Sequence, residues 1–553
     1  APRGGAPPME HGGDRDGLHE ELAEDAGHRW RPAEDGGAAP FAVLQCPPLP
    51  ATDDARLSQH RAVLGVAANL LGVGVLAMPR AMAQAGLLTG LAVALAMAAV
   101  MKETLQMLLV AAEAESCSGR LSYPELAKSA LGPQGLAATL LAILLYSSGL
   151  LAAQLAALAD TLTQLWLAVS GLHPSEVSRG QAVAVAVVLC LPGVALRAPR
   201  RWQLQGFACV AGVVLALLLL LLICFADLAA AGDDGAAAAD GASLLCGGPL
   251  GLLSAAALLA SQFCLHAGAL DVLPPPPGRV GELDDGPDLG APAHGAELAL
   301  SGGFRRAAPL ATLVGAVGYL RFGGSVQGNV FASFAAPRDA DGWRWPALLV
   351  ARAALAVVLV VSFGCTSVPC RAAALEVFAA RRTAGGAASR KEYRALAAVL
   401  ALCALAAWLV EDVSWLLGFL GAWAAGPLGL VLPALVSMEH HRRSEGRPAL
   451  SVSNLRETCC LALSALLILG SIGGAGPPAV RSARRLVPVS ARHRRVGLHS
   501  PTGNSPPRWT GPLDRSSHTS DQRPSIGLDR RGKGLAFLQG FPGVHVCPTH
   551  PQP

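Results

Sequence analysis

Charge is scarce in this sequence. Asp, Glu, Lys and Arg together supply 15% of the 553 residues, against 52% that are hydrophobic. A soluble multidomain chain of that length carries far more charge, so the composition is that of a polytopic membrane protein. The net charge of +4 is small and sits in arginine-bearing loops and the C-terminal tail. No basic patch is interleaved with aromatic residues, and no nucleic-acid partner is expected. Cysteine pairs with the C-x-x-C spacing of a metal site are missing. Of the 13 cysteines, Cys190, Cys209, Cys224, Cys264, Cys365, Cys403, Cys459 and Cys460 lie in apolar runs, where a thiol behaves as a small hydrophobe. There is no Ser/His/Asp arrangement, no H-E-x-x-H and no phosphate-cradling glycine loop, so the chain is not read as an enzyme. The doublet His440-His441 adjoins Arg442 and Arg443 and reads as a solvated basic face rather than a metal site.

Asparagine is rarer still: the chain has four, Asn69, Asn329, Asn454 and Asn504. Asn69 stands one turn before Gly72-Val73-Gly74-Val75-Leu76-Ala77-Met78-Pro79, inside a first apolar run from about 63 to 88. Glycine carries a backbone entropy penalty in a helix and proline deletes a ladder hydrogen bond, so this run is expected to unwind locally. Unwound backbone at membrane depth is tolerated where it lines a cavity. Freed N–H groups opening the second half-helix can hold a carboxylate, and carbonyls closing the first half can hold a cation. The broken first helix therefore reads as a substrate site. Two glycines only two residues apart do not form the four-residue repeat of a helix-packing face. Asn69 either serves the site or makes an interhelical hydrogen bond, because an amide in lipid needs partners.

Further apolar runs follow near 90–112, 136–158, 181–194, 206–225, 250–270, 308–322, 346–369, 395–410, 413–436 and 459–472. With the first they make about eleven spans, each near or somewhat short of the ~20 residues needed to cross a bilayer core. Lys102 and Glu103 interrupt the second run and either pair with neighbours or face the bundle interior. The sixth run carries Ser261-Gln262-Phe263-Cys264-Leu265-His266-Ala267-Gly268, a second candidate break. His266 there is either a satisfied core histidine or a mediator of proton coupling.

Three polar segments frame these runs. Residues 1–58 are Gly/Pro/Asp/Glu-rich without an apolar core and read as a disordered cytoplasmic tail, with no cleavable signal peptide expected. Residues 273–303 read as a polar loop between the sixth and seventh spans, and 475–553 as a basic, disordered C-terminal tail. The transmembrane domain is thus 59–474. With the N-terminus in the cytoplasm, the cytoplasmic loops hold Arg197, Arg200, Arg201, Arg305, Arg306, Arg371, Arg381, Arg382, Arg390, Lys391, Arg394, Arg442, Arg443, Arg447 and Arg456. The opposite loops hold little beyond Arg179, Arg338 and Arg344, as the positive-inside rule requires. The exception is the basic tail from Arg481 onward.

Several pieces together resemble the amino acid/auxin permease superfamily, and most closely its sodium-coupled neutral amino acid transporters. Asn69 with Gly72 to Pro79 and Ala85-Gly86 is similar to the N-x-x-G-x-G-x-L-x-x-P…AG signature of the first span. Asp160-Thr161-Leu162 resembles the D-x-L of the third, and Phe263-Cys264-Leu265-His266 the F-x-CH of the sixth. Gly318-Tyr319-Leu320-Arg321-Phe322-Gly323-Gly324-Ser325-Val326-Gln327-Gly328-Asn329-Val330 is similar to GYL-x-FG-x-SVQ-x-N-V, and Gly418-Phe419-Leu420-Gly421-Ala422 with Leu432-Pro433-Ala434 to the tenth-span pattern. The resemblance runs from about Gln59 to Ile472.

It implies an all-α membrane protein of eleven helices, ten of them in two inverted repeats of five, with discontinuous first and sixth helices around a mid-membrane site. It further implies that Gly72, Val73 and Gly74 meet the carboxylate of a neutral amino acid, and that the backbone near Phe263 and Cys264 meets its ammonium and side chain. A coupling sodium is implied near Asn69, Ser362 and Thr366, whose oxygens suit a hard cation. Three departures stand out: Arg80 follows the first-span proline, Gly364 stands where a proline is common, and Pro274-Pro275-Pro276-Pro277 replaces a Pro-Ile-Tyr. The reading is a secondary active transporter in the plasma membrane or a vacuolar/lysosomal membrane, with no cofactor beyond Na+ or H+ as coupling ion. The alternatives are a proton-coupled vacuolar or lysosomal carrier using His266, and a sensor that binds amino acids without moving them.

Overall fold

A chain this apolar satisfies its backbone within helices, because a membrane interior offers no water to do so. The computed structural model describes residues 54–115, 121–170, 177–195, 199–230, 243–245, 248–268, 270, 291–334, 342–379, 388–445 and 454–474. The segments read as tails therefore lie outside the described residues, apart from 54–58, which open the first helix. So do 273–290 of the expected polar loop. The helices are α1 (Asp54–Leu70), α2 (Met78–Ala85), α3 (Leu87–Glu115), α4 (Tyr123–Ser170), α5 (Arg179–Ala195), α6 (Pro199–Ala230) and α7 (Pro249–Phe263). They continue as α8 (Ala291–Phe322), α9 (Arg344–Ala379), α10 (Ala388–Leu409), α11 (Val413–Leu420), α12 (Leu432–Glu445) and α13 (Leu455–Gly474).

Among the described residues, seven helical stretches are long and apolar enough to cross a membrane: Ala62–Ala85, Leu87–Glu115, Tyr123–Ser170, Cys209–Ala230, Arg344–Val377, Val413–Glu445 and Leu455–Ile472. Arg179–Val194, Pro249–Phe263 and Arg394–Leu409 are shorter apolar helices. With α8, these follow the order of the eleven expected spans. Their neighbours obey a two-fold rule. Helix α9 packs on α4, α5 and α6, while α4 packs on α9, α10, α11 and α12. The α1–α2 pair packs on α8, and α7 packs on α3. Exchanging α1–α2 with α7, α3 with α8, α4 with α9, α5 with α10 and α6 with α11–α12 leaves these contacts unchanged. Five crossings bring the chain out on the opposite face, so the second set of five is inverted. Helix α13 stands outside the repeat, against α7 and α12.

Local chemistry sets the helix ends. Ser122 precedes α4, and its backbone N–H and hydroxyl both donate to Glu125, at 2.9 and 2.8 Å, a capping box. Gly132, at φ 74°, and Pro133 then kink α4 before its spanning part. Asp412 caps α11 by accepting from the Ser414 N–H at 2.9 Å. Between α11 and α12 the chain makes two π turns, Gly421–Ala425 and Pro427–Val431. Pro427 has no N–H to keep the α ladder in register there.

The structure alters one expectation and decides between the two alternatives for Lys102 and Glu103 in favour of pairing with neighbours. The stretch expected to be loop as far as 303 is helical from Ala291, because Gly302 and Gly303 let α8 lie against Val63 and Val66 of α1. Lys102 and Glu103 do not face the bundle interior. They stand 3.9 Å apart at the surface, and Glu103 also lies 3.6 Å from Arg456 of α13. Ion pairs gather at the span ends: Asp160 with Arg179 at 3.1 Å, Asp227 with Arg321 and Arg344 at 2.8 and 2.9 Å, and Glu439 with Arg442 and Arg443 at 2.7 and 2.8 Å.

Gly421 brings the π turn against α7 so closely that a Cβ there would overlap the Ala257 carbonyl. We expect Gly421→Val to destabilise the fold by roughly 1–3 kcal/mol through overpacking. Thermal unfolding of the detergent-solubilised protein would register it as a lowered midpoint, and an unchanged midpoint would contradict this packing.

Candidate functional site

The first expected break is present. Helix α1 stops at Leu70, Gly72 is extended at ψ −159°, and Val73–Ala77 form a 3-10 turn that leads into α2 with Pro79 in its first turn. Leu71 N–H still reaches back to Ala67 at 2.9 Å, and Val75 N–H bonds Gly72 at 3.2 Å. The opening N–H groups of a 3-10 turn have no partner within it, which leaves those of Val73 and Gly74 for a ligand. The Leu70 carbonyl, freed by the break, accepts a hydrogen bond from the Gln262 carboxamide of α7. Gly74 permits this contact: a Cβ at Gly74 would collide with the Gln262 side chain.

The second break follows Phe263, where Cys264 turns extended at ψ 106°. The Tyr146 hydroxyl of α4 donates to the freed carbonyls of Cys264 at 2.8 Å and Ser261 at 3.1 Å. Tyr146, Leu150 and Gln154 recur every fourth residue and present one face of α4 to the gap between the breaks. From α9, Ser362 and Thr366 face the same gap, and Leu417 of α11 completes it. These residues, with Asn69, Gly72, Val73, Gly74, Ser261 and Gln262, line one small cavity. None of the lining side chains is ionised.

Asn69, Gly72, Val73, Gly74, Ser362 and Thr366 thus come together as expected from sequence. Asn69 turns its amide onto Gly65 of its own helix, at 3.1 Å. On α7 the lining falls half a turn earlier than expected: Ser261 and Gln262 face the cavity, whereas Phe263 and Cys264 are buried in the core. His266 lies away from the cavity, between α7 and α3. Thr104 spends its hydroxyl hydrogen on Met101, so its oxygen accepts from His266 Nε2 at 3.1 Å. Nδ1 then faces the Cys264 thiol at 3.7 Å, the pattern of a partnered neutral ring. Tyr146, Leu150, Gln154, Ser261, Gln262 and Leu417 were not singled out from sequence. Gln154 and Gln262 carried a usable signal, since each is a carboxamide deep in an apolar run.

The expected sodium ligands meet a different partner. Gln154 Nε2 donates to Ser362 Oγ at 3.0 Å and to Thr366 Oγ1 at 3.2 Å. The Leu70 carbonyl is likewise engaged by Gln262. Each of these oxygens has two lone pairs, and one of them is taken here by an amide hydrogen.

Beside the site, the segment Gly323–Ser333 crosses the second half of the first span. Arg80, the departure after the proline, points its guanidinium at the Gly324 and Val326 carbonyls, at 3.4 and 3.3 Å. The buried Arg352 of α9 donates to the Phe331 carbonyl at 3.0 Å, and Asn329 accepts from the Phe331 N–H at 3.1 Å.

Comparison with known proteins agrees with this architecture. The profile of the family described as "Transmembrane amino acid transporter protein" matches residues 55–236 and 297–475. No curated protein matches the sequence. Among solved structures, a nucleobase-cation-symport-1 family transporter, in a closed conformation with bromovinylhydantoin bound, is similar in fold. Its TM-score is 0.50 and its identity 12%, over 75% of this chain and 92% of that one.

Tyr146→Phe removes the donor that answers two freed carbonyls. We expect it to cost about 1–3 kcal/mol, the penalty of leaving buried acceptors unpaired. Amide hydrogen exchange across 261–268 is expected to quicken in this variant. Unchanged exchange there would show that the hydroxyl does not hold the second break.

Proposed function

The chain belongs to the transmembrane amino acid transporter family, and from that premise we propose that it is a secondary active transporter carrying neutral amino acids across a membrane by alternating access. The observation that carries this reading is the lining of the cavity: two helix breaks, three carboxamides, four hydroxyls and no ionised side chain. A zwitterion suits it. The substrate carboxylate meets the N–H groups of Val73 and Gly74 at the start of the second half-helix, where the backbone dipoles favour negative charge. A substrate with a charged side chain would bury that charge among neutral groups, at a cost of several kcal/mol. Neutral side chains are therefore selected.

The packing suggests how the site is exposed to each side in turn. Gln262 ties α7 to α1, and Gln154 ties α4 to α9. Each tie joins two helices related by the two-fold rule, and the substrate lies between the two tied pairs. Rocking one pair against the other opens either side without breaking either glutamine contact.

Gly72 is not in the left-handed region (φ −70°), and a Cβ there would meet only the Asn69 carbonyl, at 3.2 Å, so a larger side chain fills the cavity at the cost of a small shift of that carbonyl. We expect Gly72→Leu to abolish uptake of glutamine and alanine into proteoliposomes while membrane insertion stays intact. Separately imposed Na+ and H+ gradients would identify the driving ion. Uptake at the wild-type rate by this variant would sink the assignment of the first break as the substrate site. Saturable binding without uptake in the wild type would make the protein a sensor instead.

A further inference from the structure

Gln154 is buried, with 3% of its surface exposed, and it lines the cavity. Its Nε2 spans from α4 to two hydroxyls of α9, while its Oε1 has no hydrogen-bond partner. A buried acceptor without a partner is costly, so this one, on a side chain that lines the cavity, marks where a donor is expected. Thr366 fixes which way round the amide sits. Its hydroxyl hydrogen is committed to the Ser362 carbonyl at 3.1 Å. Turned over, the amide would set Oε1 against the bare Thr366 oxygen and leave Nε2 without these acceptors. On the other side of the cavity Gln262 does the same work, its Nε2 holding the Leu70 carbonyl.

We propose that the carboxamides of Gln154 and Gln262 take the place of a coupling cation at this site, and that the free Oε1 of Gln154 receives the ammonium group of the amino acid, so that substrate binding requires no sodium. The inference rests on the amino-acid reading of the cavity and specifies how that site is held together. A bound sodium would draw the Leu70 carbonyl and the Ser362 and Thr366 hydroxyls onto one positive charge. Here amide hydrogens, each partly positive, do so instead. The site is then neutral when empty and neutral again with a zwitterion bound, with its ammonium on Gln154 and its carboxylate on Val73 and Gly74.

Two measurements on the purified full chain test this. The first is thermal unfolding without amino acid, in sodium chloride and in choline chloride of equal ionic strength. The wild type is expected to give the same midpoint in both salts. Gln154→Glu is expected to melt higher in sodium, because a carboxylate beside two hydroxyls makes a hard-cation site. The second is equilibrium binding of radiolabelled glutamine and alanine. Wild-type Kd is expected to agree within about twofold between the salts, and Gln154→Met to bind about tenfold more weakly or worse in both. A wild-type midpoint or affinity that rises with sodium overturns the proposal, and so does wild-type binding by Gln154→Met. A lack of amino acid binding in either salt would strike the substrate assignment alone. The sodium response in unfolding decides the cation question without it.

Discussion

Every backbone carbonyl that leaves a helix inside this protein needs a donor, and no water is at hand in a bilayer core to supply one. The polar side chains inside the apolar helices are placed to meet that need. Leu70, freed by the first break, is met by Gln262. Ser261 and Cys264, at the second, are met by Tyr146. Leu428, in the π turns of the tenth span, is met by the Tyr123 hydroxyl at 2.8 Å. Each unpaired acceptor would cost about 1–3 kcal/mol. The breaks are therefore tolerable because particular side chains on other helices answer them, and those side chains fix which helices face one another.

That requirement also sorts the hydrogen bonds by what motion would do to them. The glutamine ties run within symmetry-related pairs, α1 with α7 and α4 with α9. The Tyr146 bonds run between the pairs, from α4 to the end of α7. A rigid rocking of one pair against the other keeps the first kind and strains the second. Tyr146 is thus a polar contact between the two pairs. The same residue that answers the second break also lines the cavity beside it.

The first break could be read from the chain because glycine, glycine and proline act through the backbone at their own positions. The second was legible only in outline. His266 and Gly268 pointed to it, yet the helix ends at Phe263, and the lining residues are the two just before that end, Ser261 and Gln262. The faces of α4 and α9 were not legible, because helices apolar all round carry no stripe that says which side is inward. Gln154 could be seen as an intramembrane amide, but its pairing with Ser362 and Thr366 depends on residues more than 200 positions away. Composition misjudged 291–303, where charged and small residues form a helix whose glycines fit it to α1. The π turns at 421–431 left no mark beyond one proline.

Arg80 shows how a motif departure acquires meaning from its surroundings. An arginine beside a half-helix could gate the cavity or repel a cation, but its hydrogen bonds run to the Gly324 and Val326 carbonyls. The same segment is held from the far side by Arg352 through Phe331. Arg80 belongs to the first span and Arg352 to the eighth, one in each tied pair. The segment between them carries the Gly318–Val330 motif, and Gly318 lies against Pro79 so closely that a Cβ would overlap its ring. Two guanidinium groups thus strap one irregular segment to both tied pairs through its backbone carbonyls. The charge withheld from the cavity is used beside it, where it joins the two pairs without lining the cavity.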